Sequence, residues 1–383
     1  AAPPAPGAGR PWVPAAHDGV DVFWPGMASS RCYRIPVVLR SSAGTLLAFA
    51  EQRVAGCSDD AHPNLVLRRS LDGGRTWLPE NDVITLAAWG GEDQEDLSNI
   101  NPVEVELPGS GGARRAILVH YDTKNNPTEE SHGRNMQVWS YDDGLTWTDR
   151  ADITEYLPPS FAGCMPGPSV GLSAWGALYF SCHTAGSALV YFSVDRGRTW
   201  HASAAIAELN ECSLAVRVGA PEEGSRQLLM NCRSMRERRR RQVVWDVAGV
   251  GVGEPPVAPQ LVEDFYPAGL DDPHCQGSVM ALGGALFLSN DNTTRSRSRL
   301  TVKRSMDGGY TWDQGLLVTR GPAGYSQLVG WPLGPAGAEH VLGQSAALYA
   351  LGVLFEAGGP LRFVRWEVSS AVASARAVPS VTV

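Results

Sequence analysis

The sequence predicts an all-β protein folded as one six-bladed β-propeller, and three observations carry that prediction. The 383 residues include 42 Gly, 27 Pro and 12 Trp, with short apolar runs between turn residues, a composition that favours strands and tight turns. An octapeptide recurs: Ser70-Leu71-Asp72-Gly73-Gly74-Arg75-Thr76-Trp77 returns at Ser140 to Trp147, Ser193 to Trp200 and Ser305 to Trp312. The copies start 140 − 70 = 70, 193 − 140 = 53 and 305 − 193 = 112 residues apart. The last interval is two units of about 56, which places a degenerate copy near Val243-Val244-Trp245-Asp246.

A period of that size, with strands and turns inside each unit, suits blades that bury their faces only against neighbours. Division of the chain by this period gives about six. Residues 1–28 are Ala/Pro/Gly-rich without periodicity and are expected to be an extended lead-in. Residues 29–383 are then the single propeller domain. Within each repeat the Asp side chain can accept from nearby amides, Gly can take positive φ, and Trp can enter the blade's apolar layer. A feature present in several blades is architectural, so these Asp residues are not expected to be catalytic.

A net charge of −8 and a pI near 5.5 argue against nucleic acid or an anionic membrane as partner. An anionic ligand must therefore be met by a local cationic pocket. No apolar run is long enough to span a bilayer and no signal peptide is recognised, so the chain is read as soluble. The seven cysteines (Cys32, Cys57, Cys164, Cys182, Cys212, Cys232, Cys275) are odd in number and form no CxxC, which fits neither a zinc site nor a full disulfide framework. The eight histidines show no HExxH spacing, so no metal site is expected. The compartment is left open, although Asn292-Thr293-Thr294 is a glycosylation acceptor if the chain is secreted.

One stretch carries chemistry. In Tyr33-Arg34-Ile35-Pro36-Val37-Val38-Leu39, an arginine inside an apolar run is costly to bury without an anion to meet it. That anion is either an internal acid or a carboxylate on a ligand.

The octapeptides are similar to the Asp boxes of the sialidase (neuraminidase) family, and Tyr33-Arg34-Ile35-Pro36 resembles its arginine-isoleucine-proline motif. The likeness runs from about Ser30 to Gly358. Leu47-Ala48-Phe49-Ala50-Glu51-Gln52-Arg53, Leu67-Arg68-Arg69-Ser70, Glu211-Cys212 and Cys275-Gln276-Gly277-Ser278-Val279 look most like the animal-type enzymes. The resemblance implies the sialidase fold and an exo-α-sialidase, with no metal or organic cofactor. It also implies a set of residue roles, each of which has a chemical reason.

A sialic acid carries a carboxylate on its anomeric carbon, beside the positive charge of an oxocarbenium-like transition state. Planar guanidinium groups can clamp that carboxylate, and Arg34, Arg233 and Arg297 match the family's triad. Arg295 and Arg299 flank Arg297 at two-residue spacing and would share its face of a strand; the offset to Thr301 selects Arg297. Glu356 matches the glutamate that orients the first arginine. The run Arg236-Glu237-Arg238-Arg239-Arg240-Arg241 is read as a solvated hairpin.

A carboxylate nucleophile would be repelled by the substrate's own carboxylate, whereas a phenol with an adjacent base avoids this. Tyr325 is the expected nucleophile and Glu211 its base. Asp59 is the expected acid/base, nine residues before Arg68 (68 − 59 = 9), with Asp60 as competitor. Arg53, Gln276 and Asn101 are expected as further substrate contacts. His62-Pro63 departs from the charged residues expected there, and Cys32 with Cys57 is a candidate local disulfide.

The function expected from sequence is thus a monomeric hydrolase of terminal α-linked sialic acids on glycans, glycoproteins or glycolipids, acting with retention. A trans-sialidase and a non-catalytic sialoglycan-binding propeller are the alternatives. The N-acetyl, N-glycolyl and deaminated (Kdn) sugars are not distinguished.

Overall fold

The computed structural model describes residues 19–59, 61–89, 96–109, 114–124, 133–219, 225–250, 256–334 and 348–369. Six sheets of consecutive antiparallel strands form six blades. The first blade uses Cys32–Arg40, Leu46–Arg53, Asn64–Ser70 and Ile84–Ala87, and the second Asp96–Leu107, Arg114–Lys124, Arg134–Ser140 and Thr148–Asp152. In the third blade Met165–Pro166 and Leu172–Ala174 share the inner position beside Ala177–His183 and Ser187–Ser193. The fourth runs from Leu209–Val216 to Gln260–Phe265 and the fifth from Ser278–Leu282 to Leu316–Leu317.

Ring closure corrects one boundary. The sixth blade comprises Ser326–Pro332, Leu348–Glu356 and Leu361–Ser369, and its outer strand is Val20–Phe23. Val20 pairs with Phe363 and Phe23 with Leu361, and Arg362 Nε lies 2.7 Å from Asp21 Oδ1. Residues expected in the lead-in therefore belong to the last sheet, because that sheet's outer edge is otherwise unpaired. Residues 1–18 of the expected lead-in lie outside the described residues.

Apolar clusters seal each junction between blades. Val37, Leu47 and Phe49 pack on Ile117, Val119 and Tyr121, and Val22, Phe23 and Phe363 pack on Val38, Leu46 and Ala48 where the ring closes. Strands buried on both faces, such as Leu46–Arg53, read as nearly continuous apolar runs for this reason.

The recurring turns link the third and fourth strands of four blades. In the first, Ser70 Oγ donates to Asp72 Oδ1 at 2.9 Å, Gly74 N donates to Ser70 Oγ at 2.8 Å, and Thr76 N donates to Asp72 Oδ1 at 2.9 Å. The same pattern recurs around Asp142, Asp195 and Asp307. Gly74 has φ +81°, and a Cβ there would sit 2.2 Å from Phe363 Cε1. In the fourth blade Asp246 occupies the same connection and accepts from Ala248 N at 2.8 Å, as expected of the degenerate copy. Since strands alternate in direction, these turns all lie on one face of the ring, and the starts of the inner strands lie on the other.

The arginine run is corrected as well. Only its first part, Arg236 to Arg238, is exposed. Arg240 is fully buried in the strand Arg240–Asp246. It donates to Asn231 Oδ1 at 2.8 Å and pairs with Asp272 at 3.2 Å, because strand alternation turns it inward, where an acid awaits it. Six cysteines are paired, as Cys32–Cys57, Cys164–Cys182 and Cys212–Cys232, leaving Cys275 free and buried. Among the described residues no helix is long and apolar enough to cross a membrane.

Candidate active site

The site lies where inner strands begin, and distorted backbone aims its side chains. The pairing register slips between Arg34 and Val37, with Ile35 at φ +57° and Pro36 unable to donate to the ladder. Such a bulge re-aims the neighbouring side chain. Arg34 Nε meets Glu356 Oε1 at 2.6 Å, and Ile35 N donates to the same oxygen at 3.2 Å. Glu356 Oε2 accepts from Tyr325 N at 3.2 Å. One carboxylate thus positions both the arginine and the backbone of the tyrosine. Gly324 permits this approach, since a Cβ there would sit 2.3 Å from Glu356 Oε2.

Opposite stands a second bulge, between Asn210 and Cys212, with Glu211 at φ +28°. Its Oε1 accepts from the Tyr325 hydroxyl and its Oε2 lies 2.9 Å from Arg233 Nη1. Glu211 and Tyr325 are each only 7% exposed. Burial raises the Glu211 pKa and the Arg233 charge opposes that rise. The Cys212–Cys232 disulfide, one residue beyond each partner, ties their strands together. Arg34 and Arg297 each place Cζ 5.4 Å from the centroid of the Tyr325 ring. Arg34, Arg233 and Arg297 therefore surround the phenol–carboxylate pair.

Arg297 reaches this position from the loop between Ala285–Asp291 and Leu300–Ser305, not from a strand. The expectation that alternation puts Arg295, Arg297 and Arg299 on one strand face is thereby overturned, because the hairpin leaves the ladder before Arg295. Contact with the Tyr325 ring singles out Arg297.

Asp59 projects from the loop after Leu46–Arg53 with its side chain 79% exposed, 2.8 Å from Arg53 Nη1 and 3.7 Å from Arg34 Nη1. Asp60 lies outside the described residues. The Cys32–Cys57 disulfide fastens this loop to the strand of Arg34. Arg53, expected on the substrate, is 2% exposed and instead backs the loop. It binds Glu51 through Nε at 2.9 Å and Nη2 at 2.6 Å, and the Cys57 carbonyl through Nη1 at 2.8 Å. Nearby, His62 stacks on Trp89 with centroids 4.8 Å apart and its Nδ1 meets Asp96.

Two other expected contacts serve the scaffold. Gln276 donates to the Pro168 carbonyl at 2.8 Å and accepts from Ser326 N at 2.8 Å, so both ends of its amide are spent joining blades. Asn101 Nδ2 donates to the Gly167 carbonyl at 2.8 Å. Both residues are 1% exposed.

Sequence reasoning missed Glu51 and the floor beneath Tyr325. Glu51 Oε1 accepts from Asn99 N at 3.0 Å while its Oε2 holds Arg53. Cys275 packs with Ile35 and Tyr325, and Asp291 lies beside Cys275. Burial raises Asp291 from 3.8 to about 8, with Cys275 and the Arg297 charge opposing. An acid inside an apolar strand was the available signal in Phe287-Leu288-Ser289-Asn290-Asp291.

Three guanidinium groups can hold one carboxylate, a phenol with an adjacent base can act as nucleophile, and an exposed acid on the rim can protonate a leaving group. Among the described residues no group of three His, Cys, Asp or Glu forms a metal site.

Residues 44–337 match the family model described as a BNR repeat-like domain. The chain is 29% identical over 335 residues to a sialidase of Bacteroides fragilis, covering 81% of this chain and 60% of that protein. It is 27% identical over 371 residues to Sialidase-2 of Rattus norvegicus, covering 85% of this chain and 89% of that one. Among solved structures, Hadza microbial sialidase Hz136 superposes with a TM-score of 0.71 at 22% identity, over 91% of this chain and 68% of that one, a likeness of fold. The chain thus spans about three fifths of the Bacteroides protein's length.

Proposed function

This chain belongs to the sialidase family of BNR-repeat proteins, and on that premise we propose that it is an exo-α-sialidase releasing terminal α-linked sialic acids from glycans with retention of configuration. The observation that carries the reading is the contact of Tyr325 with Glu211 beneath Arg34, Arg233 and Arg297.

The substrate carboxylate is clamped by the three arginines, which fixes the anomeric carbon over the phenol. As Tyr325 Oη attacks that carbon, its proton passes to Glu211 Oε1, while Asp59 protonates the departing glycosidic oxygen. The bond to the leaving group breaks and a tyrosyl glycoside remains. In the second step Asp59 takes a proton from water, the water oxygen attacks the anomeric carbon, and the phenolate leaves and regains its proton from Glu211. Two inversions give net retention. Arg53 acts here through Asp59, holding the acid loop. The reading calls for no metal or cofactor.

Tyr325→Phe is the test, with turnover of an aryl α-sialoside as the readout. Loss of covalent catalysis is expected to cut kcat by about a thousandfold, several kcal/mol of barrier; near-native turnover refutes the mechanism. Proton NMR of the first-formed sugar should show the α-anomer. Product that appears only when a sugar acceptor is present identifies a transferase, and binding without turnover in the native protein identifies a non-catalytic propeller.

A further inference from the structure

The opposite face of the ring carries a cavity of about 490 Å³, whose walls include Arg40, Gly73, Arg75, Trp331, Leu333 and Arg365. The strand Cys32–Arg40 bears Arg34 near its start and Arg40 at its end, and Ser326–Pro332 begins beside Tyr325 and bears Trp331 near its end. Six residues at about 3.3 Å each put the two sites about 20 Å apart. The turn that begins at Ser70 supplies Gly73 and Arg75.

Three guanidinium groups meet here in a chain of net charge −8. Arg40 Cζ lies 5.5 Å from the Trp331 ring. Arg365 Nη1 donates to the Gly73 carbonyl and Arg75 Nη1 to the Asp72 carbonyl, each at 3.0 Å. Among the described residues none of the three forms an ion pair. Asp72, the acid in the lining, is spent within its own turn on Ser70 and Thr76. Burial lowers the pKa of Arg365 and the charge of Arg75 lowers it further; burial also lowers that of Arg40. Glu367 and Asp72 oppose this at Arg365 and Glu104 opposes it at Arg40, but among the described residues none of these acids lies at ion-pair distance, so an added anion is stabilised by the like charges gathered there. Gly73 keeps the cavity open, since a Cβ there would sit 3.1 Å from Arg365 Nη1 and 3.2 Å from Trp331 Cζ2.

We propose that this cavity is a second, non-catalytic site for an acidic saccharide, whose anionic group is met by Arg40, Arg75 and Arg365 and whose apolar edge lies against Trp331 and Leu333. The lining is more polar than apolar, which suits a hydrophilic anionic ligand held by guanidinium groups with one aromatic face beside it. Such a site would hold a glycan bearing several acidic sugars while another of its termini is at Tyr325.

The test is calorimetric titration of the full chain with a hydrolysis-resistant methyl thio-α-sialoside, and separately with glucuronate and inorganic phosphate. Two binding events are expected for the sialoside. In the Arg40→Ala/Arg365→Ala double variant the second is expected to weaken about tenfold or more, with unchanged kcat and KM on a small aryl sialoside. Arg75→Ala, at an exposed turn position, should weaken the same event if the double variant fails to fold. Sialoside binding of which no part is weakened in the double variant or in Arg75→Ala overturns the proposal, as does phosphate binding there as tightly as either saccharide. The second event is read from binding alone, so it stands or falls independently of whether the chain turns over sialosides.

Discussion

The Tyr325 hydroxyl donates to Glu211 Oε1, joining residues 114 positions apart, and Glu211 Oε2 is held 2.9 Å from Arg233. A phenol is a poor nucleophile until its proton has somewhere to go. Here the acceptor is a nearly buried carboxylate whose pKa is raised by burial and restrained by Arg233 first, then by the charges of Arg297 and Arg240. On the proposed mechanism, that balance is what leaves Glu211 able to take the phenolic proton.

Glu211→Gln keeps the shape and removes the base. Its kcat on an aryl sialoside is expected to fall by about 10²- to 10⁴-fold, with KM changed far less. A kcat within threefold of native removes Glu211 from the reaction, provided thermal melting shows a folded protein.

Glu356 holds Arg34 Nε, Ile35 N and Tyr325 N at once. Glu356→Gln exchanges an ion pair for a neutral contact, and KM should rise by about ten- to a hundredfold as Arg34 loses its orientation. Arg34→Lys should show a comparable defect, since an ammonium cannot reproduce the planar fork. Steady-state kinetics on both variants decide the matter.

The Cys32–Cys57 bridge spans 25 residues and anchors the Asp59 loop. Cys57→Ser should cost about 3 kcal/mol of unfolding free energy in denaturant titrations. It should also lower kcat more than it raises KM, because the acid loop and not the arginine clamp is released. An unchanged kcat would separate the bridge from catalysis.

Asp291 is buried, with its pKa raised from 3.8 to about 8. The folded chain therefore keeps a proton that the unfolded chain releases above the lower value. Its contribution to stability is fully present below pH 3.8 and is lost as pH rises through the folded value. Between about pH 4 and 8 the loss is at most about 1.4 kcal/mol per pH unit. Asp291→Asn should flatten this slope in melts recorded across that range and raise stability at pH 8. A slope identical to native would show that Asp291 is not the titrating group.

Arg240 and Asp272 form a buried pair at 3.2 Å. Arg240→Met leaves Asp272 uncompensated and should destabilise by about 3–5 kcal/mol, whereas adding Asp272→Leu should recover part of the loss. Denaturant midpoints for both variants and the pair test this cycle.

The closed ring separates the residues that could be read in advance from those that could not. Arg34, Glu211, Tyr325 and Glu356 stand in local motifs whose residue types announce their chemistry, and the structure brings them together. Gln276 and Asn101 sit in equally suggestive motifs, yet their amide nitrogens donate to the carbonyls of Pro168 and Gly167 in the third blade. Arg240 resembles its exposed neighbours in sequence and differs only in facing Asp272. No local pattern distinguishes an amide that faces a ligand from one that faces a backbone carbonyl.

By itself, the sequence determined the blade architecture, because Asp72 and its counterparts satisfy amides within a few residues, so each turn is a short-range event that repeats wherever its letters repeat. Closure by Val20–Phe23, the approach of Glu356 to Arg34 across 322 positions and the aim of Arg297 were decided only by the tertiary structure. Those contacts depend on how six twisted sheets meet around one axis, which is set by packing between blades and not by any stretch of chain alone.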